Sequence, residues 1–241
     1  MLRTPEDAAP FTLVRVIDTE TTGMAVDAEV IEIGWTDVRL FPGQGWQIED
    51  GPHSELCDVT CDIEPAAMGV HHIVQDMLVG KPEFSQRLPQ LLEGVDYLAA
   101  HHAEFDSAFF PDKRTPFICT MKAAAAIWPD LPNHKNQTIR YAKNLVEYDD
   151  PKSHPSHRAG PDTYVTAHIL LALLAEYRLE ALLKVSKEPR RMLTIPFGKH
   201  SGTRFSDLPL DYLQWIVSDK NDLKEDVKFN ARRELGRRGE G

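Results

Sequence analysis

The stretch Ile17-Asp18-Thr19-Glu20-Thr21-Thr22-Gly23 continues Leu13-Val14-Arg15-Val16, and together they read as a strand running out of an apolar core. Side chains alternate faces along a strand, so Asp18 and Glu20 share one face. Two unpaired anions side by side repel, and removing them from water is costly. A cation should therefore compensate them: an Arg, a Lys or a metal ion. No Arg or Lys within the motif is placed to neutralise both. Thr19 faces the other way and reads as packing.

Further along the chain, Val30 to Val38 shows partial apolar alternation and reads as a second strand, and Gly43 to Gly45 as a turn. Trp46 to Ile48 then returns as a third strand of a meander. Asp76 to Leu92 holds short helical pieces broken by Gly80-Lys81-Pro82. Tyr97 to Ala100 and Phe117 to Thr120 are short apolar strands. Phe105 to Phe110, Met121 to Trp128, Asn136 to Leu145 and Pro161 to Tyr177 read as helices, the last with Pro161 at its first position. A meander followed by strands alternating with helices predicts an α/β fold, a mixed sheet with helices on its faces. Three segments follow: a loose tail over residues 1–12, a main domain over 13–187, and a small α+β unit over 190–241 with a Gly-bearing turn.

The 241 residues are 42% hydrophobic, which suits a globular core. No apolar run reaches a membrane span, and Met1 to Pro10 lacks the apolar stretch of a signal peptide, so a cytoplasmic location is expected. Cys57, Cys61 and Cys119 are an odd number for a disulfide framework, and no second pair completes a zinc site with Cys57 and Cys61. The net charge is −10, but Arg190 to Gly241 carries +3 and the remainder −13. An acidic body with a basic end is compatible with handling nucleic acid if some acids hold metal ions. Charge alone does not decide it.

Two more carboxylates invite comparison with the opening pair. Asp106 lies in Ala100-His101-His102-Ala103-Glu104-Phe105-Asp106, just after an apolar strand. Asp162 opens an apolar helix in His157-Arg158-Ala159-Gly160-Pro161-Asp162. Taken singly, these are a solvated strand end, a helix cap, a first-turn acid favoured by the helix dipole and a surface histidine. Four carboxylates and one histidine together match the needs of phosphoryl transfer with two divalent ions.

The three motifs resemble those of the DEDDh 3′→5′ exonucleases over roughly residues 13 to 177. Val70-His71-His72-Ile73 resembles the family's segment before the second motif, while Ile118-Cys119-Thr120-Met121-Lys122, Trp128-Pro129-Asp130-Leu131-Pro132 and Ile195-Pro196-Phe197-Gly198-Lys199-His200 are similar to the bacterial exodeoxyribonuclease X branch. The resemblance implies a ribonuclease-H-like sheet and two Mg²⁺ or Mn²⁺ ions held by Asp18, Glu20, Asp106 and Asp162. It implies His157 as general base, with His154 as a rival. It further implies that Thr21, Thr22, Gly23 and Met24 meet a terminal nucleotide, with His72, paired with His71 at the nucleotide pocket, and His102 as further candidates for substrate contact. Phe105 and Trp128 are expected in the core. Two positions depart from the family pattern: His102 stands where Asn is usual, and Thr163 where Ala is common.

The leading expectation is a metal-dependent enzyme releasing nucleoside 5′-monophosphates from the 3′ ends of DNA, single-stranded or 3′-ended. An exoribonuclease, a polymerase-associated proofreading subunit and a non-catalytic nucleic-acid-binding protein are the alternatives. The presence of all five chemical positions argues against the last. A homodimer is compatible with the sequence. The C-terminal unit is either a substrate grip or a structural or partner-binding element.

Overall fold

The opening motif lies on β1 (Leu13–Thr21), the middle strand of a five-stranded sheet in this computed structural model, which describes residues 9–111 and 113–239. The strand order is β3-β2-β1-β4-β5, with β2 (Val30–Phe41), β3 (Gly45–Leu56), β4 (Tyr97–Ala100) and β5 (Phe117–Cys119). The first three strands form an antiparallel meander, while β4 and β5 run parallel to β1. This is the expected mixed α/β sheet. The third strand is longer than Trp46 to Ile48, because it stays paired with β2 through two register shifts near Asp37. Such bulges add twist without ending the ladder.

Of the tail expected over residues 1–12, residues 1–8 lie outside the described residues. Phe11 and Thr12 exchange backbone hydrogen bonds with Leu40 at the end of β2, and Thr12 is buried.

The helices are α1 (Pro65–His71), α2 (Phe84–Leu92), α3 (Ala103–Asp106), α4 (Thr120–Ile127), α5 (Asn136–Lys143), α6 (Ala159–Glu176), α7 (Leu179–Lys187), α8 (Leu210–Val217) and α9 (Glu225–Arg238). One face of β1 places Val14 and Val16 against Val165, Ile169, Leu170 and Leu173 of α6. The other face packs Ile17 with Ile33, Leu98 and Phe110. Asp18 and Glu20 therefore continue the row that faces α6. That helix starts two residues before Pro161, which sits instead at its third position. The ring is still in the first turn, where a missing amide costs no intrahelical bond.

Residues beyond Arg190 build their own apolar cluster, with Ile195, Phe205, Leu213, Ile216, Val227 and Leu235 among its members. Among the described residues its β content is a single bridge between Thr194 and Arg204, beside α8 and α9. Among the described residues no helix is long and apolar enough to cross a membrane.

Candidate active site

Antiparallel register places Gly34 directly opposite Asp18 and Glu32 directly opposite Glu20. Facing partners share a sheet face, so these four positions form one floor beneath the start of α6. Gly34 lets the helix come down onto it: a Cβ there would lie 2.3 Å from the Ala159 carbonyl carbon and 2.4 Å from its oxygen. This close approach carries Asp162, in the first turn of α6, to the β1 carboxylates. Carboxylate oxygens of Asp18, Glu20 and Asp162 lie within 4.8 Å of one another.

Asp106 comes from the parallel side of the sheet, in α3 just past β4. It is buried, and its Oδ1 accepts hydrogen bonds from the Thr19 amide at 3.1 Å and the Thr19 hydroxyl at 2.8 Å. Thr19, expected only to pack, instead fixes the third motif carboxylate.

These four carboxylates perturb one another. Asp18 and Glu20 keep some surface open to solvent yet lie deep among protein atoms. Burial raises the Asp18 carboxyl well above the usual range, and the charges of Asp106, Asp162 and Glu20 raise it further. Burial, then Asp162 and Glu32, push Glu20 up to about 8. Burial lifts Asp106 to about 7 against the opposing Thr19 hydrogen bonds. Asp162 is raised by burial despite the His157 amide. Such a cluster ionises fully only beside added positive charge, and oxygen-rich ligand sets suit hard divalent cations. Asp18, Glu20 and Asp162 therefore fit the divalent ions that the resemblance implied, whereas Asp106, also expected as a ligand, lies outside their grouping. Among the described residues this grouping contains no cysteine, and all three cysteines are free.

One protein cation stands at the floor. Arg158 grips buried Glu32 through Nε at 2.9 Å and Nη2 at 2.7 Å, and the same carboxylate accepts the Ala159 amide at 3.0 Å. The charge of Arg158 also pulls the Glu20 pKa down, against the larger upward causes. Glu32 thus ties the N-terminus of α6 to β2, with the guanidinium neutralising a fifth acid.

Asp162 is held by two further groups. Its Oδ2 accepts the His157 amide at 2.8 Å, and its Oδ1 accepts from Gln137 Nε2 at 3.3 Å. Asn136 Nδ2 donates to the Asp162 backbone carbonyl at 3.3 Å and to Thr166 at 2.7 Å. The side chain of His157 is exposed, on a residue with φ of 61°. The rival His154 has its ring tied to the Tyr148 carbonyl at 2.6 Å.

The other candidates divide. Thr21 and Thr22 are buried and spend their hydroxyls on the turn, on the Gly23 carbonyl at 2.7 Å and the Glu29 amide at 3.0 Å. Gly23 packs against Glu64, and Met24 beyond it is 80% exposed. His72 is exposed at the left-handed C-cap of α1. Its neighbour His71 is the ring that lies buried beside the Thr21 backbone, with Nε2 unpartnered. His102 is exposed at the N-cap of α3. Thr163 is buried, its hydroxyl 2.9 Å from that of Thr36 and donating to the Gly160 carbonyl at 2.7 Å, so the departure from Ala is fully satisfied. Trp128 is buried as expected and Phe105 is half-buried.

The sequence profile of the exonuclease family (RNase_T) matches residues 16–170. A second profile, named for a quorum-sensing-regulated virulence factor, matches residues 190–220. The chain is 29% identical to Exodeoxyribonuclease 10 of Escherichia coli, over 92% of this chain and 99% of that protein. It is 30% identical to the DNA polymerase III subunit epsilon of Aquifex aeolicus, over 67% of this chain and 80% of that one. A solved structure of Exonuclease X with 5′ overhanging duplex DNA superposes with a TM-score of 0.61 and 30% identity, covering 72% of this chain and 99% of that one. The nuclease domain of 3′hExo, a DEDDh family member, shares the fold at 16% identity, with a TM-score of 0.54 over 70% of this chain and 96% of that one.

Proposed function

Because the chain belongs to the exonuclease family, we propose that it is a divalent-metal-dependent 3′→5′ exonuclease that shortens DNA and releases nucleoside 5′-monophosphates. The observation that carries this reading is the convergence of Asp18, Glu20 and Asp162 within 4.8 Å, with Asp106 raised to about 7 beside them. DNA is favoured as substrate by the near full-length likeness to Exodeoxyribonuclease 10 and by the DNA held in the Exonuclease X structure. Residues 13–187 would be the nuclease domain and 190–241 a separate unit.

Asp18, Glu20 and Asp162 would hold the metal ions, with Asp106 beside Asp18. Mg²⁺ or Mn²⁺ ions bound there would polarise the scissile phosphate and lower the pKa of the attacking water. His157 takes the water proton through an imidazole nitrogen; its amide is already anchored to Asp162 and its ring is exposed. The water oxygen joins phosphorus, the P–O3′ bond breaks, and the shortened strand keeps a 3′-hydroxyl. The Thr21 to Gly23 turn supports the end of the strand, with exposed Met24 beside the terminal base.

The test runs 5′-labelled DNA and RNA oligonucleotides side by side with Mg²⁺. Stepwise shortening of DNA from its 3′ end supports the proposal. Shortening of RNA alone replaces DNA by RNA, and no shortening of either with Mg²⁺ or Mn²⁺ removes the enzyme reading.

A further inference from the structure

The C-terminal unit carries an aromatic ladder that the nuclease site does not use. The Tyr212 and Trp215 rings on α8 stack at 5.3 Å with planes 28° apart. The His200 ring lies 4.5 Å from that of Tyr212, tilted by 60°. The turn that carries His200 begins at Gly198, with φ of +69°, where a Cβ would lie 3.3 Å from the Tyr212 hydroxyl. That turn therefore packs against Tyr212. Trp215 is 41% exposed, and no further ring covers it among the described residues.

A cation accompanies the ladder. Lys199 Nζ lies 5.8 Å from the Tyr212 ring centre. Arg232, Arg237 and Arg238 are already paired with Glu225 and Glu234, whereas Lys199 has no ion pair among the described residues. The segment from Arg190 carries +3 against −13 for the rest of the chain. The ladder also connects to the active site along one loop. Arg204, at the end of the same turn, lies 3.7 Å from Asp130. That loop runs on into α5, where Gln137 holds Asp162.

We propose that the His200–Tyr212–Trp215 ladder with Lys199 is a stacking platform for single-stranded nucleic acid, gripping the strand at a distance from the cleaved end. An open indole face accepts any base, and a neighbouring ammonium accepts a phosphate. A polyanionic strand matches the basic unit, whereas the acidic body of a second copy matches it without any use for stacked rings. The proposal rests on the nuclease reading for its ligand, and its test does not require turnover.

The experiment measures binding of a 5′-fluorescent oligothymidylate to the full chain in EDTA by anisotropy. Trp215→Ala should weaken binding roughly 5- to 150-fold, the range for losing one stacked base. Trp215→Phe should recover most of it, and Lys199→Gln should lower the salt slope by about one. Circular dichroism checks that each variant is folded, and Lys199→Gln alters only an exposed side chain. Wild-type affinity in both Trp215→Ala and Lys199→Gln overturns the platform. An equal loss on blunt duplex also overturns it, as does unchanged affinity with a shift in sedimentation, which would make the face a contact between copies. Wild-type hydrolysis of the p-nitrophenyl ester of thymidine 5′-monophosphate, too short to reach the ladder, is followed separately with Mg²⁺. Its absence counts against the nuclease reading and leaves the binding result standing.

Discussion

Thr19 donates both its amide and its hydroxyl to one oxygen of Asp106, at 3.1 and 2.8 Å, although the two residues are 87 positions apart. The residue between the two motif carboxylates thus orients a third from the opposite face of the strand. Replacing Thr19 by Val keeps the shape and the amide bond but removes the hydroxyl. Hydrogen bonds to charged groups contribute about 1.5–3 kcal/mol of stability, so the melting temperature should fall by several degrees, and kcat should fall about tenfold as Asp106 loses its orientation. Thr19→Ser should stay near wild type in the same steady-state assay. Equal activity of the Val and Ser variants would count against the role.

Gly34 is required for space. Its Cβ would enter the Ala159 backbone at 2.3 Å, and backbone cannot swing away. Urea unfolding of Gly34→Ala should show a loss of about 1–3 kcal/mol, the cost of forcing atoms into a packed contact. Gly23→Ala provides the contrast, because the atoms nearest its Cβ would be the carboxylate end of Glu64, which can turn aside. Its unfolding midpoint should move much less.

Glu32 holds Arg158 and the start of α6 through three hydrogen bonds. In Glu32→Ala the guanidinium and the Ala159 amide lose their acceptor. The Arg158 side chain is 30% exposed, so water recovers part of the loss, and about 2 kcal/mol of stability should disappear in denaturant titration. Activity should fall as well, since His157 and Asp162 flank this anchor. Full activity in a destabilised Glu32→Ala would separate the anchor from catalysis.

Much of this arrangement is legible in the sequence. The Asp18/Glu20 face follows from strand alternation alone, and Tyr97–Ala100 is found at its observed bounds from its apolar run. The motifs bring Asp106 and Asp162 to the same site. What escapes depends on pairing between distant segments. Glu32 and Gly34 look like the outward positions of an alternating strand until the β1–β2 register sets them opposite Glu20 and Asp18. A carboxylate between Ile31 and Ile33 in a strand buried on both faces is the signal that could have marked Glu32. Gln137 bonds across 25 residues to Asp162, and nothing local announces it. α1 is seven residues with Gly69 inside and lacks a helical apolar period, so only Pro65 hints at its start. Of the His71-His72 pair expected near the nucleotide, His71 is buried beside Thr21 and His72 is exposed.

His101 is half-buried, its ring held between the Thr120 hydroxyl and the His134 carbonyl, and desolvation depresses it to about 4. Its folded value lies below the ordinary value near 6.5, so the unfolded chain binds more protons between those limits. The His101 contribution to stability should therefore fall as pH drops from about 6.5 toward 4, opposing the gain from the carboxylate cluster over the same range. His101→Gln should remove that opposing contribution, so urea midpoints of the variant should gain more than wild type between about pH 6.5 and 4. Parallel curves for variant and wild type would remove His101 as a contributor.

The most direct measurement is thermal unfolding of the metal-free protein across pH, with and without Mg²⁺ or Mn²⁺. Asp18 and Asp162 are raised, Asp106 stands at about 7 and Glu20 at about 8, all above their unfolded values. The folded state therefore favours their protonated forms. That contribution is full below about pH 4 and is lost as pH rises through 7 and 8. The account predicts a melting temperature held down by this cluster at pH 8, a rise on adding divalent ions that is far larger at pH 8 than at pH 5, and loss of most of that rise in Asp18→Asn. A metal-induced rise that is absent at pH 8, or equal in wild type and Asp18→Asn, would contradict it.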